Sequence, residues 1–244
     1  MIRDSIIITG GTRGIGYATA LKYAGQNINI ILTYKNNIKS SKSAKLKLQK
    51  VHENFHIIRC DPSKISELNK LKFYIKTNKL KIKALINNQG STKYVKNEKK
   101  EIDIKLFTEM LNINLLSHLK IINVTLPFMK KGASIINVSS IASINGKGSN
   151  IGYCASKSAL DSVTRSLSQS LSPNIRVNSI CPGLTQTDMT TKAPKNYYKN
   201  QISITPMDRL AEPEDIANAI YSISEHATFI NGQCIVVDGG RILY

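Results

Sequence analysis

In the stretch "SNIGYCASKSAL", Tyr153 stands four residues before Lys157, and Ser140 closes "IINVSS" thirteen residues upstream of the tyrosine. Together these residue types could manage the proton side of a carbonyl reduction. A ketone becomes an alcohol by taking a hydride at carbon and a proton at oxygen. A site therefore needs a proton donor, and a positioned hydrogen bond where negative charge develops. A free tyrosine, with a pKa of about 10, ionises poorly at neutral pH, and a nearby ammonium favours the phenolate. On a helix, residues i and i+4 share a face, so Lys157 can lie beside Tyr153. The spacing alone gives only a possibility, because a Tyr and a Lys one turn apart can equally be surface filler. Ser139 competes with Ser140, and Asn112 competes with Asn114 in "NINLLS".

A hydride needs a carrier, and "IIITGGTRGIG" offers a place for one. Gly10, Gly14 and Gly16 directly follow a β-branched run. Glycines there permit a tight turn and close approach of backbone to a pyrophosphate, which the N–H groups of the following helix then face. The spacing is G-x-x-x-G-x-G, with no Lys-Ser/Thr pair for a P-loop. A glycine turn between strand and helix can also be purely structural. The second strand ends "ILTYKNN", with Tyr34 and Lys35 where NAD enzymes usually carry an acid for the ribose 2′-OH. Arg13 in the glycine turn adds a second cation. Two positive groups suit a 2′-phosphate, so NADP(H) is the expected cofactor. Lys35 is one of many lysines, so Arg13 carries more of this argument.

The elements that must position these residues follow from alternation. Seven short β-branched runs, from "SIIIT" to "QCIVVDG", are separated by stretches of helical spacing. That pattern predicts an α/β fold with a doubly wound, seven-stranded parallel sheet of the Rossmann type, helices on both faces and each strand buried on both sides. No linker or repeat divides the chain, so one domain over residues 1–244 is expected. There is room for two helices between "INNQG" and "ASIINVSS", the second ending near Pro127. After Pro182-Gly183 comes a segment at about 184–210 with two prolines and little periodicity. It reads as a substrate loop or lid at a strand's carboxyl end.

Composition excludes several alternatives. With 41% hydrophobic residues and no apolar run near the ~20 residues of a membrane helix, the chain reads as soluble, with no membrane partner. Its start lacks the basic, apolar and cleavage-site pattern of a signal peptide, so a cytoplasmic location is expected. Cys60, Cys154, Cys181 and Cys234 are scattered, and the four histidines form no H-E-x-x-H pattern, so no metal site is expected. The net charge is +18, from 34 Lys+Arg against 16 Asp+Glu. The lysines are spread through nearly every segment with abundant Asn and Ile and are not interleaved with aromatics. Nucleic acid is therefore not an expected partner.

Taken in order, "TGGTRGIG", "INNQG", "NINLLS", "INVSS", "YCASK", "ICPGLTQTDM", "RLAEPEDIA" and "INGQCIVVDGG" resemble the short-chain dehydrogenase/reductase family over nearly the whole chain. The resemblance implies a catalytic set of Asn114, Ser140, Tyr153 and Lys157. Tyr153 would be the proton donor, Ser140 the carbonyl hydrogen-bond donor, and Lys157 the holder of the nicotinamide ribose. Asn114 would support a water-linked proton relay to the lysine. The thirteen-residue spacing selects Ser140, and the family register selects Asn114. The resemblance also places Gly10, Thr12, Arg13, Gly14, Ile15 and Gly16 at the phosphates, with Tyr34 and Lys35 at the 2′ position. Asp61 and Pro62 of "RCDPS" fall beside the adenine, and Asn88 and Gly90 line the ribose region. Pro182, Gly183, Thr185 and Thr187 form the turn over the nicotinamide amide. Gln89 departs from the small residue usual at its position.

Within the family, chain length and ending are most like enzymes that reduce 3-oxoacyl thioesters of acyl carrier protein. A basic surface, including Lys130 and Lys131, suits an acidic carrier. Asn174 stands where a carrier-docking arginine is expected, and Tyr197 and Tyr198 in the lid could stack on a ring-shaped ligand. The other reading is therefore reduction of a sugar, polyol or other small carbonyl compound. Family members are usually tetramers, built through late helices and the C-terminal strand, so a homotetramer is expected.

Overall fold

The β-branched runs form strands, and the stretches between them form helices. The computed structural model describes residues 4–95, 101–188, 190 and 195–242. The first half runs β1 (Asp4–Ile8), α1 (Gly14–Tyr23), β2 (Asn29–Tyr34), α2 (Ile38–Leu48), β3 (Phe55–Arg59), α3 (Ile65–Thr77) and β4 (Lys81–Asn87). Next come α4 (Ile104–Leu111), a π-helical turn at Asn112–Leu116, α5 (Ser117–Thr125), β5 (Met129–Val138), the short α6 (Ala142–Asn145) and α7 (Ile151–Ser170). The chain closes with β6 (Ile175–Pro182), α8 (Lys195–Ser203), α9 (Pro213–Glu225) and β7 (Cys234–Val237). All seven strands are parallel, in the order β3-β2-β1-β4-β5-β6-β7. Strand order reverses between β1 and β4, which opens a crevice at their carboxyl ends.

Period-two alternation divides the core. Ile6, Ile8, Ile30 and Leu32 face α1 and α9, where Tyr23, Ile216 and Ile220 meet them. Ile7, Ile31, Ile82 and Leu85 face the other way, against Leu71, Ile75, Ile121 and Ile122. Burial on both sides holds for the inner strands but not for the two at the ends of the order. All four residues of β7 are half-buried, and so are Phe55, Ile57 and Ile58 of β3. Edge strands pair on one side only, so the same β-branched composition ends up partly exposed. The two helices expected before β5 run on from one another, because the π turn joins α4 to α5 without a loop. Within the expected lid, residues 189 and 191–194 and the side chain of Tyr197 lie outside the described residues.

Candidate active site

The carboxyl ends of β1, β4, β5 and β6 converge, and each delivers part of the site. Ser140 follows β5 and is half-buried, its Oγ accepting from the Ala142 N–H at 3.2 Å. Ser139 turns inward and donates to the carbonyl of Lys157 at 3.4 Å. Of the two, Ser140 is the more accessible. Tyr153 sits in the first turn of α7, where the Asn150 side chain caps the helix by accepting from the Tyr153 N–H at 2.8 Å. Lys157, one turn on, is buried. Its Nζ donates to the Val138 carbonyl at 2.7 Å and lies 5.9 Å from the centre of the Tyr153 ring. Burial lowers its pKa to about 8, against the opposing pull of Asp161.

Asn114 occupies the π turn and is fully buried, whereas Asn112 is exposed. The Asn114 amide clamps the chain after β4: Oδ1 accepts from Ser91 N at 2.9 Å, and Nδ2 donates to Ser91 O at 3.0 Å and to Ser156 Oγ at 3.2 Å. A Cβ added at Gly90 would stand 3.2 Å from Asn114 Oδ1 and 3.8 Å from Lys157 Nζ, so the absent side chain leaves the space these two groups share. Gln89 fits by hydrogen bonding. Its Nε2 donates to Ser117 Oγ at 2.9 Å, and its carbonyl accepts from His118 Nε2 at 2.7 Å. A carbonyl can only accept, so the His118 proton is on Nε2. Burial and the neighbouring Lys157 push this imidazole down to about 3, and it stays neutral.

The glycine turn after β1 lies beside this cluster. Gly10 and Gly14 have φ of +62° and +50°, which side chains rarely adopt. Asn88 Nδ2 donates to Thr9 O at 2.9 Å and Gly10 O at 3.2 Å, which locks the turn to the end of β4. Helices α2 and α7 carry capping side chains; α1 has none and no acid in its first turn. Its first-turn amides are thus left for an anion. Thr187 closes over Gly14, whose added Cβ would stand 3.2 Å from the threonine methyl. Thr185 and Gly183 hold the turn after β6. The cradle fits a dinucleotide: positive φ and tight packing at its glycines leave backbone, not side chains, at the start of α1.

At the expected adenosine end, the cations are already paired. Arg13 meets Asp188 at 3.0 Å, and Lys35 meets Asp61 at 3.2 Å. Burial works to raise the Asp61 carboxyl, but hydrogen bonds from Ser63 and Lys35 prevail and hold it below the usual range. Thr12 bonds Ser40 at 3.0 Å, and Pro62 is buried. Sequence reasoning missed Arg59, whose Nε donates to the Lys35 carbonyl at 3.1 Å and places a second cation beside Lys35. The parallel pairing Tyr34↔Arg59 brings it there, and only the sheet register reveals it.

Residues 10–241 match a family model described as enoyl-(acyl carrier protein) reductase. The chain belongs to the short-chain dehydrogenase/reductase family. It is 32% identical to a 3α-hydroxysteroid dehydrogenase of Mediterraneibacter gnavus, over 98% of this chain and 97% of that one. It is 31% identical to a 3-oxoacyl-[acyl-carrier-protein] reductase of Aquifex aeolicus, over 96% and 95% respectively. A Brucella melitensis structure titled short-chain dehydrogenase/reductase SDR: glucose/ribitol dehydrogenase superposes with a TM-score of 0.90 over the full length of both chains, at 28% identity. Members of this short-chain dehydrogenase/reductase family are oxidoreductases acting on CH–OH and C=O groups with a nicotinamide cofactor. Among the described residues of this member, no helix is long and apolar enough to cross a membrane.

Proposed function

We propose that this protein is an NADPH-dependent carbonyl reductase, with a 3-oxoacyl thioester of acyl carrier protein as substrate. The observation that carries the reaction class is the convergence of Ser140, Tyr153 and Lys157 beside an uncapped glycine turn. A bound nicotinamide supplies the hydride; the protein's own groups manage the oxygen. Ser140 Oγ donates to the substrate oxygen and holds it against Tyr153. The Tyr153 hydroxyl gives its proton to that oxygen as charge develops, and the Lys157 ammonium stabilises the phenolate left behind. Asn114 fixes the Ser91 turn next to Lys157, where a water-linked relay can return the proton. Gly10, Thr12, Arg13, Gly14, Ile15 and Gly16 hold the phosphates; Asp61, Pro62, Asn88 and Gly90 hold the adenosine and ribose; Pro182, Gly183, Thr185 and Thr187 cover the nicotinamide amide.

NADPH is favoured because β2 ends on Tyr34, followed by Lys35, without a carboxylate, because Arg59 stands beside Lys35, and because Arg13 lies in the glycine turn. Arg13, paired here with the exposed Asp188, would hold a 2′-phosphate. Wild-type kcat/KM should favour NADPH over NADH, and Arg13→Ala should reduce that preference by about tenfold or more, the worth of one charge-assisted contact. An unchanged ratio of the two kcat/KM values would remove Arg13 from the specificity argument.

The likeness to a hydroxysteroid dehydrogenase supports a second reading, a ring-borne carbonyl, in line with Tyr198 in the lid helix α8. NADPH oxidation tested with acetoacetyl thioesters beside keto-steroids, keto-sugars and small ketones separates the two. Turnover confined to the thioesters supports the first; turnover confined to ring ketones replaces it. The half-buried edge strand β7 supports a homotetramer, which sedimentation would report as a fourfold mass.

A further inference from the structure

Beneath the catalytic cluster lies a buried carboxylate that the proton transfer does not touch. Asp161 stands one helical turn after Lys157 on α7, on the same face, and both residues are only 4% exposed. Strand β6 fixes the carboxylate from below: Ser179 Oγ donates to Oδ1 at 2.6 Å, and the Cys181 thiol reaches Oδ2 at 3.7 Å. A carboxylate on the apolar face of a helix is costly unless an opposite charge compensates it. Lys157 is such a charge, and it has the matching difficulty.

Burial drives the Lys157 ammonium towards neutrality, and a neutral amine cannot stabilise a phenolate. Its surroundings offer little relief. The Val138 carbonyl accepts from Nζ, Tyr153 stands on its own helix, Asn114 faces it across Gly90, and His118 of α5 is neutral. Cys181 of β6 stays protonated, its thiol pushed up by its hydrogen bond with Cys234 and by burial. Among the described residues packed here, Asp161 alone supplies a carboxylate, and it acts against the loss of the Lys157 proton.

We propose that Asp161 is a positioning residue that keeps the Lys157 ammonium charged at working pH, and so acts on Tyr153 through Lys157. The inference rests on the reductase reading above. Asp161→Asn keeps the shape and an acceptor for Ser179 but removes the charge. The readout is the pH dependence of kcat/KM for carbonyl reduction by the full-length protein with saturating NADPH.

In the wild type, Lys157 is charged below its pKa of about 8, so activity should fall as pH rises through that value. Loss of the Asp161 charge makes the ammonium less stable, so the fall should move to lower pH, by about one unit. The variant should then be within about twofold of wild type near pH 6, about fivefold slower near pH 8 and about tenfold slower above pH 9. Asp161→Glu should return the fall most of the way. A purely structural role lowers activity by one factor at every pH, and that result overturns the proposal. Asp161→Ser repeats the comparison if the Asn variant does not fold. Failure of both to fold also counts against it, because the proposal assigns Asp161 to the lysine's charge. An inactive wild type would sink the reductase reading instead, so the two failures are distinguishable.

Discussion

Tyr153→Phe is expected to lower kcat for carbonyl reduction by about 10³-fold, within the range that a positioned general acid contributes. The NADPH dissociation constant should stay within about threefold of wild type, since the phenol oxygen adds little to cofactor binding beside the phosphate and ribose contacts. The substitution deletes one oxygen and leaves the ring in place. Asn150 caps the backbone of residue 153, and the ring edge packs at Gly148, where an added Cβ would stand 3.1 Å from Cδ1. Helix α7 therefore keeps its start, and Lys157 keeps its hydrogen bond to Val138. What disappears is the proposed proton donor, so the loss should fall on kcat and kcat/KM alike. Steady-state rates, with cofactor binding followed by quenching of NADPH fluorescence, check both halves. Residual turnover above about a tenth of wild type would give the proton to another group, against the general-acid expectation.

The sheet and the helix–strand alternation were legible because β-branched runs and helical spacing are local signals, and the glycine turn was legible because its backbone demand selects a residue type. The π turn at Asn114 was not. "NINLL" carries no Gly or Pro, and a π turn is a shift in main-chain hydrogen bonding that leaves no mark on side-chain periodicity. The edge status of β3 and β7 was hidden for a related reason, since strand order depends on crossovers and not on the strand's own residues. Pairings across long separations were also invisible. Lys35 and Arg13 read as cations open to a phosphate, yet Asp61 and Asp188 reach them in the folded chain. Nothing local to the sequence marks Asp161, and the packing of α7 on β6 buries it.

Gly16→Ala should cost both cofactor binding and stability, although it adds a single methyl group. A Cβ at this position would stand 2.5 Å from Asn88 Nδ2, 2.7 Å from Gly10 O and 3.0 Å from Gly11 Cα. Two of these three neighbours are backbone. The third is an amide held at 2.9 Å by Thr9 O and at 3.2 Å by Gly10 O, so it has nowhere to go. The turn must open, and overpacking of this kind costs about 1–3 kcal/mol. For a chain of this length that is a fall in Tm of about 3–10 °C. Opening also spreads the α1 amides proposed to face the pyrophosphate, so affinity for the proposed cofactor, NADPH, should drop by about 100-fold, the loss of several concerted backbone contacts. Gly25→Ala, just beyond the other end of α1, is the control. Nothing lies within 4 Å of its added Cβ, and only its φ of +82° is strained. That variant should lose some stability and keep its cofactor. Equal cofactor affinity in the two variants would show that the methyl at residue 16 acts only through general destabilisation, and the glycine turn would lose its role as the phosphate cradle.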